Sequence, residues 1–442
     1  MGFDQAAAER LLILCTTTGY QTRAFVEAAE SMGLALGFGS DRCHILDDPW
    51  RDGAIPLRFE DPEEAARRIV EYARRTPVAA IVAPGDRPAP SAARACRLLG
   101  LPGHPPEAAD TCRDKYRSRQ RLREAGVSVP AFARFAFQEN PREILAAAGG
   151  SVGFPCVLKP LALSASRGVI RADNPDEFVR AFERIRRLLG APDVQVMREF
   201  TSGFFQVEAY VEGVEVAVEA AMDRGRLRAL ALFDKPDALV GPFFEETLYV
   251  TPSRLPSEIQ TLVVRALERA AGALGLWHGP LHAEFRVNAE GIWALEVAAR
   301  PIGGLCSRAL RFHSPAWGEN LSLEHVLIRL ALGGDLDGLG REEHASGVMM
   351  IPVPGEGIFA SVEGVEQALQ VPGVEDVLIT AKPGQKLTPL PEGSSYPGFI
   401  FARGNSPECV EAALRRAYQE LRFTTAPALP VLGRDCRLKI AD

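Results

Sequence analysis

The sequence predicts a chain of mixed α/β and α+β architecture: an N-terminal parallel α/β domain, a longer middle portion, and a small α+β C-terminal domain. Three observations carry this. Apolar strands alternate with amphipathic helices over roughly the first hundred residues, the pattern of a parallel sheet. Beyond Gly126 the strands shorten and are joined by hairpin-like turns. Gly334-Gly-Asp-Leu-Asp-Gly-Leu-Gly340 has the composition of a linker. The expected divisions are 1–110, 111–333 and 341–442.

In chain order, Leu11 to Cys15 reads as a buried strand, Thr16 to Tyr20 as a loop, Arg23 to Met32 as a helix and Leu34 to Phe38 as a second strand. Asp61-Pro62-Glu63-Glu64 starts a helix, with a cap, Pro at the first position and acids in the first turn. It ends near Arg75. A strand at Val78–Ala83 and a helix to Leu99 follow. The Thr-Thr-Thr-Gly turn is not G-x-G-x-x-G, so this domain reads as a scaffold lending an edge to a neighbouring site.

A basic helix is expected from Thr111 to Glu124, then strands at Phe154–Lys159, Gln195–Glu199, Gln206–Tyr210, Glu215–Ala220 and Leu227–Leu232. Helices are expected from Asn174 to Leu189 and from Ser257 to Leu274, and over roughly 320–333. The tail reads as strands at Gly347–Val353, Val374–Thr380 and Gly398–Ala402, with helices at Val362–Gln370 and Pro407–Leu421.

Composition excludes several classes. The chain is 47% hydrophobic and 24% charged, as ordinary globular proteins are. A formal charge of −7 gives no footing for nucleic-acid or polybasic membrane binding. Eight Cys without a C-x-x-C indicate neither a zinc ribbon nor a disulfide framework. With no signal-peptide core and no apolar run of membrane-spanning length, a cytoplasmic setting is expected.

The chemistry centres on His282 to Arg300. Leu281, Ala283, Phe285 and Val287 alternate with His282, Glu284, Arg286 and Asn288, and Trp293, Leu295 and Val297 form the apolar side of a return strand. A three-residue loop Ala289-Glu290-Gly291 pairs Glu284 with Glu296, with His282 and Arg300 near the same end. Like charges directly opposite destabilise a sheet. Such a pair serves as a glycosidase-type acid/base couple, as ligands to a hard cation, or as a solvated face. Lys159 ends an apolar strand and precedes the small-residue loop Leu163–Val169, a pattern that suits phosphate binding and equally a solubility-giving strand end. The peptide groups of Met197 to Gly203 suit an adenine edge, and Lys115 lies on a helix face.

Taken together these segments resemble the ATP-grasp superfamily: Asp114-Lys115 with Gly126-Val-Ser-Val-Pro130, Phe154-Pro-x-Val-x-Lys159, Ser166-Arg-Gly168, Glu199-Phe-Thr-Ser-Gly203, Glu208, and Glu284 and Glu296 with Arg300. A narrower resemblance is to the dipeptide-forming L-amino-acid ligases, related to carnosine synthase. It rests on Gly241-Pro-Phe-Phe-Glu-Glu246, His282-x-Glu284, Glu296-Val-Ala-Ala-Arg-Pro-Ile-Gly-Gly304 and, in the tail, Ser361-Val-Glu-Gly-Val365, Lys382-Pro-Gly384 and Phe401-Ala-Arg-Gly404.

The resemblance implies a two-subdomain ATP-grasp fold and an ATP-dependent carboxylate–amine ligase. Lys115, Lys159, Ser166 and Gly168 would meet the phosphates, Glu199, Phe200 and Thr201 the adenine, and Glu208 the ribose. Glu284 and Glu296 would hold two Mg²⁺ ions, with Mn²⁺ as a substitute. Arg300 would stabilise the acyl phosphate, with His282 orienting substrate and Gly303, Gly304, Phe244 and Glu245 shaping its pocket. A small-molecule carboxylate and amine are the implied partners, and relatives are commonly homodimers. Two features depart from the wider superfamily: Ala298 stands where many members have a metal-binding Asn, and the phosphate loop is poor in Gly. The rival readings are a purine-pathway ligase, a biotin-carboxylase-like carboxylation and a catalytically silent ATP-binding module.

Overall fold

The computed structural model describes residues 9–16, 20–41 and 54–427. Its N-terminal sheet has four parallel strands in the order Ile55–Pro56, Ala35–Ser40, Arg10–Cys15, Ala80–Val82, with helices Thr22–Ser31, Pro62–Arg75 and Ala89–Leu99. The central strand is wholly apolar at Leu11–Leu14 because helices cover both faces. Asp61 caps its helix as expected, accepting from the Glu64 amide at 3.0 Å. The Thr16–Tyr20 loop falls partly outside the described residues.

The expected basic helix is two. Pro106–Arg113 ends at Asp114, whose extended backbone breaks the run and whose carboxylate caps Lys115–Glu124, accepting from Tyr116 and Arg117 amides at 3.0 and 3.1 Å. Lys115 thereby opens a helix instead of lying along one.

A four-stranded antiparallel sheet follows, ordered Phe132–Ala136, Phe204–Ala209, Cys156–Pro160, Ile170–Ala172. Helix Pro175–Leu189 packs Phe178, Phe182 and Ile185 onto it. The strand expected at Gln195–Glu199 is absent. Pro192 starts a short helix to Gln195, Arg198 takes a positive φ, and Phe200–Gly203 is a 3₁₀ turn. Proline's fixed φ suits a first helical turn and outweighs the local strand pattern.

The largest sheet has eight antiparallel strands: Gly291–Ala298, Gly279–Asn288, Val214–Asp223, Arg226–Asp234, Leu248–Thr251, Ala345–Met350, Gly398–Gly404 and Val374–Ile379. Strands from both sides of Gly334–Gly340 thus share one sheet, and Leu336 and Leu339 of that segment are buried in its core. Helix Ser257–Leu274 covers the hairpin end, burying Val263, Leu267 and Ala270 against Leu281, Ala283 and Phe285. In the tail, Val362 belongs to strand Gly357–Glu363. The helix begins only at Val365, after Gly364 at φ +85°, where a Cβ would lie 1.9 Å from the Glu420 carbonyl.

Phe285 is fully buried at the centre of the hairpin core. Phe285→Ala is expected to cost about 3–5 kcal/mol in urea denaturation, the range for deleting a large core ring.

Candidate active site

The hairpin differs from expectation at its turn and agrees at its carboxylates. Asn288 pairs with Gly291, leaving the two-residue loop Ala289-Glu290. The Asn288 carboxamide oxygen accepts from the amides of Glu290 and Gly291 at 2.9 and 3.1 Å, closing the turn without a third residue. Val287, Arg286 and Phe285 then face Ile292, Trp293 and Ala294. So the buried side of the return strand is Ile292, Ala294 and Val297, not Trp293 and Leu295. A bulge at Leu295 shifts the register by one, and Glu284 faces Glu296 after all. Without the bulge Glu296 would point into the core beside Ala283. Ala298, in place of the Asn found elsewhere, pairs with His282.

Around Glu284 lies a buried charge cluster. The Lys235 ammonium sits 2.8 Å from Glu215, 2.6 Å from Glu246 and 2.9 Å from Glu284, and 5.0 Å over the Tyr249 ring. These three carboxylates are close enough to share a cation, and Lys235 already supplies one. Burial would discharge Lys235, but the three carboxylates outweigh it and hold its pKa well above the usual range. Burial would likewise raise Glu284, yet Lys235 and His282 hold it well below the ordinary carboxylate range. Glu246, pushed up by burial more than Lys235 lowers it and raised further by the Glu284 charge, reaches about 7. Among the described residues, Glu215 has a second cation in Arg286 at 3.1 Å and Glu284 one in His282 at 3.7 Å, whereas Glu246 has Lys235 alone.

His282 is buried between two acids, with Nδ1 3.1 Å from Glu219 and Nε2 3.7 Å from Glu284. Burial opposes its charge, but these partners raise its pKa to about 8. Glu219 also accepts from the Ile302 amide at 2.9 Å, while Gln21 of the N-terminal domain donates to the Ile302 carbonyl. The two peptides flanking Ile302, just before Gly303, are therefore each held by a side chain. Among the described residues, neither the Gly303 nor the Gly304 amide donates to a protein acceptor.

Arg300 Nε donates to Asp86 at 2.9 Å and Nη1 to the Pro301 carbonyl at 2.9 Å, while Nη2 lies 3.9 Å from Glu296. Lys159 Nζ is 2.5 Å from Glu208, which also accepts from Arg119 at 2.7 Å and Gln206 at 2.6 Å. Arg119 donates in addition to the carbonyl of Leu295, the bulge residue. One guanidinium thus links the Lys159 strand, through Glu208, to the Glu284–Glu296 hairpin. Burial would raise the Glu208 pKa, but Arg119 and Lys159 bring it to about 2.

Lys115 Nζ donates to the Leu163 carbonyl at 2.7 Å, tethering the loop that carries Ser166 and Gly168. The shortage of Gly in that loop is met by backbone strain, since Ala165 and Ser166 both take positive φ. Gly168, at φ +75°, donates to the Pro391 carbonyl at 2.8 Å, and a Cβ there would sit 2.8 Å from Pro160. The Glu199 side chain turns to Arg113 at 2.5 Å and Arg87 at 3.1 Å and is engaged there. Thr201 lies in the 3₁₀ turn, and Phe200 is 85% exposed beside Phe204. Phe244 stacks on Tyr210, and Glu245 accepts from the Val353 amide at 3.3 Å. Glu245 also lines a small cleft with Ala165, Leu390, Ser394 and Tyr396.

Sequence reasoning missed Lys235, Glu215, Glu219, Glu246, Arg119 and Asp86. Three of these carried a signal. Lys235-Pro236 follows an apolar strand much as Lys159-Pro160 ends one, and Glu215 and Glu219 alternate with Val216 and Val218 in a strand buried from Val216 to Asp223.

The ATP-grasp domain family matches residues 152–309, the ATP-grasp N-terminal domain 26–103 and the L-amino acid ligase C-terminal domain 2 residues 349–426. The chain belongs to the ATP-grasp superfamily. Within it, the resemblance is to amino-acid ligases. A crystal structure of an L-amino acid ligase from Bacillus licheniformis superposes with a TM-score of 0.75 at 26% identity, over 95% of this chain and 99% of that one. Alanine–anticapsin ligase of Bacillus subtilis (strain 168) is 27% identical over 84% of this chain and 82% of its own. Carnosine synthase 1 of Gallus gallus is 28% identical over 72% of this chain, which spans 35% of that protein. A biotin carboxylase domain of Hydrogenobacter thermophilus, solved with MgADP and bicarbonate, shares the fold alone, with a TM-score of 0.65 at 18% identity. No helix among the described residues is long and apolar enough to cross a membrane.

Two expectations follow. Glu208 has a folded pKa below its unfolded value, so its contribution is complete above about pH 4.5 and is lost as pH falls toward 2. Glu208→Gln should remove about 3 kcal/mol of acid-dependent stability over that window in denaturation curves. Lys235→Met removes the ammonium shared by Glu215, Glu246 and Glu284 and leaves Glu246 without a cation, and should destabilise the protein by about 3–5 kcal/mol at pH 8, a loss that shrinks as pH is lowered.

Proposed function

We propose that this chain is an ATP-dependent ligase that joins the carboxylate of an amino acid to an amine, commonly that of a second amino acid, through an acyl phosphate. ADP and phosphate are the co-products. The observation that carries the reading is the bulged hairpin. It places Glu284 and Glu296 face to face with His282 and Arg300 beside them, and Arg119 ties it to Lys159.

The opposed carboxylates are hard oxygen donors and suit Mg²⁺, with Mn²⁺ as a substitute. When bound there, two such ions would neutralise charge on the phosphate oxygens. Neither Asn nor another carboxylate stands at position 298, so Glu284 and Glu296 are the ligands proposed. Lys115 and Lys159 add positive charge at the phosphate loop, and the peptide groups of Glu199 to Thr201 meet the adenine. Glu208, bound to Lys159, holds that ammonium in place and would meet the ribose.

The substrate carboxylate attacks the γ-phosphorus. An O–P bond forms as the bond to the β-phosphate oxygen breaks and ADP leaves. The amine then attacks the acyl carbon, the C–O bond to phosphate breaks, and a proton is released with the phosphate. Catalysis is positioning and charge compensation throughout. Arg300 faces the acyl phosphate, protonated His282 orients the carboxylate, the Gly303 and Gly304 amides cradle it, and Phe244 and Glu245 border the side-chain cleft.

Phosphate release from ATP and Mg²⁺ in the presence of paired amino acids tests this. ADP and phosphate formed only with an amino-acid pair are the expected outcome. Dependence on bicarbonate, or formation of AMP and pyrophosphate, would overturn the reading. Glu296→Ala, a change on a partly exposed strand position, should lower kcat by about 10²–10³-fold with the thermal transition unchanged.

A further inference from the structure

The hairpin, the phosphate loop and the adenine segment all lie in the middle portion of the chain, yet two of their charged groups are held from outside it. The turn after strand Ala80–Val82 carries Asp86 and Arg87, adjacent residues of opposite charge. Asp86 accepts from Arg300 Nε at 2.9 Å. Arg87 donates to Glu199 at 3.1 Å and to Asp41 at 2.7 Å. One short turn of the N-terminal domain therefore grips the phosphoryl end of the site with one side chain and the adenine end with the next.

The geometry points to Asp86 as a positioning residue for Arg300 in acyl-phosphate formation, an inference that rests on the ligase reading above. Arg300 is a planar group with five donors, and its orientation decides which of them face the reacting phosphate. Two bonds fix that plane. Nε is held by Asp86 and Nη1 by the Pro301 carbonyl, both at 2.9 Å. Nη2 is left on the side of Glu296, 3.9 Å away, where the proposed metal–phosphate site lies. Glu296, with 36% of its side chain exposed, is too distant from Nη2 to fix the guanidinium by itself. The Pro301 bond alone would let the group swing about a single contact. Asp86 supplies the second anchor and places it on a different domain.

The charge of Asp86 matters as well as its reach. Burial favours the neutral acid, but Arg300 first, then Lys115 and Arg113, keep it ionised. Three cations thus surround one carboxylate. Asp86 offsets positive charge that would otherwise drive Arg300 and Lys115 apart while no phosphate is bound. The N-terminal domain is on this account part of the catalytic apparatus, and not only an edge to it.

The test compares the full-length protein with Asp86→Asn and Asp86→Glu in the amino-acid-dependent phosphate assay, alongside calorimetric titration with MgATP and thermal denaturation. Asn keeps the shape and loses the charge. Its kcat should fall about 10–100-fold, as when the hydrogen-bond partner of a site ligand is removed. KM for ATP and the MgATP affinity should stay within about twofold. Asp86→Glu, which retains the charge, should recover at least about tenfold of the loss. Unchanged kcat in Asp86→Asn would overturn the assignment. So would a rise in kcat, which would make Asp86 a competitor of the substrate carboxylate, or a loss in both variants that tracks a fallen melting temperature. Wild-type protein that releases no phosphate with any amino-acid pair would remove the ligase reading and this assignment with it. Active wild type with an indifferent Asp86→Asn removes the assignment alone.

Discussion

One extra residue in one strand sets the active-site face. In a regular hairpin closed by Ala289-Glu290, side chains on the return strand would keep a single register, and Glu296 would lie across from Ala283 in the core. Leu295 interrupts that register. The bulge turns Glu296 onto the face of Glu284 and leaves Val297 and Ala294 on the buried face. It also presents the Leu295 carbonyl to Arg119, whose other bond holds Glu208 and through it Lys159. Core packing on one side and charge placement on the other thus depend on a single local irregularity.

The charges it places are expensive to bury and are retained in clusters that compensate them. Each buried ion carries a desolvation penalty of several kcal/mol, so unpaired members would titrate to neutrality. The Lys235 cluster shows this rule operating within one group of contacts. Glu284 is kept ionised, whereas Glu246 is raised to about 7. Glu284, the proposed metal ligand, is the one that receives both the ammonium and the imidazole. Glu219, beneath His282 and Ile302, extends the arrangement to the Pro301–Gly304 loop, so electrostatics and loop geometry are set by the same side chains.

Hydrogen bonds tie the three portions of the chain to one another. Gln21 and Asp86 reach from the N-terminal domain to Ile302 and Arg300. From the C-terminal portion, Pro391 accepts from Gly168, and Glu392 accepts from Arg167 through its carbonyl and from Arg184 through its carboxylate. The Leu163–Val169 loop is therefore bounded by a segment more than two hundred positions downstream. These ties make the disposition of Arg300 and the Leu163–Val169 loop a property of the whole fold.

By itself the sequence determined the elements whose signals are local. Helix Pro62–Arg75 was legible from its cap and its proline, Ser257–Leu274 from its amphipathic period, and the Glu284–Glu296 pairing from alternation around a turn. Even there the turn was assigned one residue too many, and the unread bulge cancelled the error. The ATP-grasp reading was available because its residues recur in order along the chain. The tertiary structure alone decided which charges meet. Asp86 and Arg300 are separated by 214 positions, Arg119 and Glu208 by 89, and Lys235 and Glu284 by 49. No periodicity encodes such distances. Long-range ion pairs are selected by burial, which makes an uncompensated charge too costly to keep, and burial exists only once the sheets have packed.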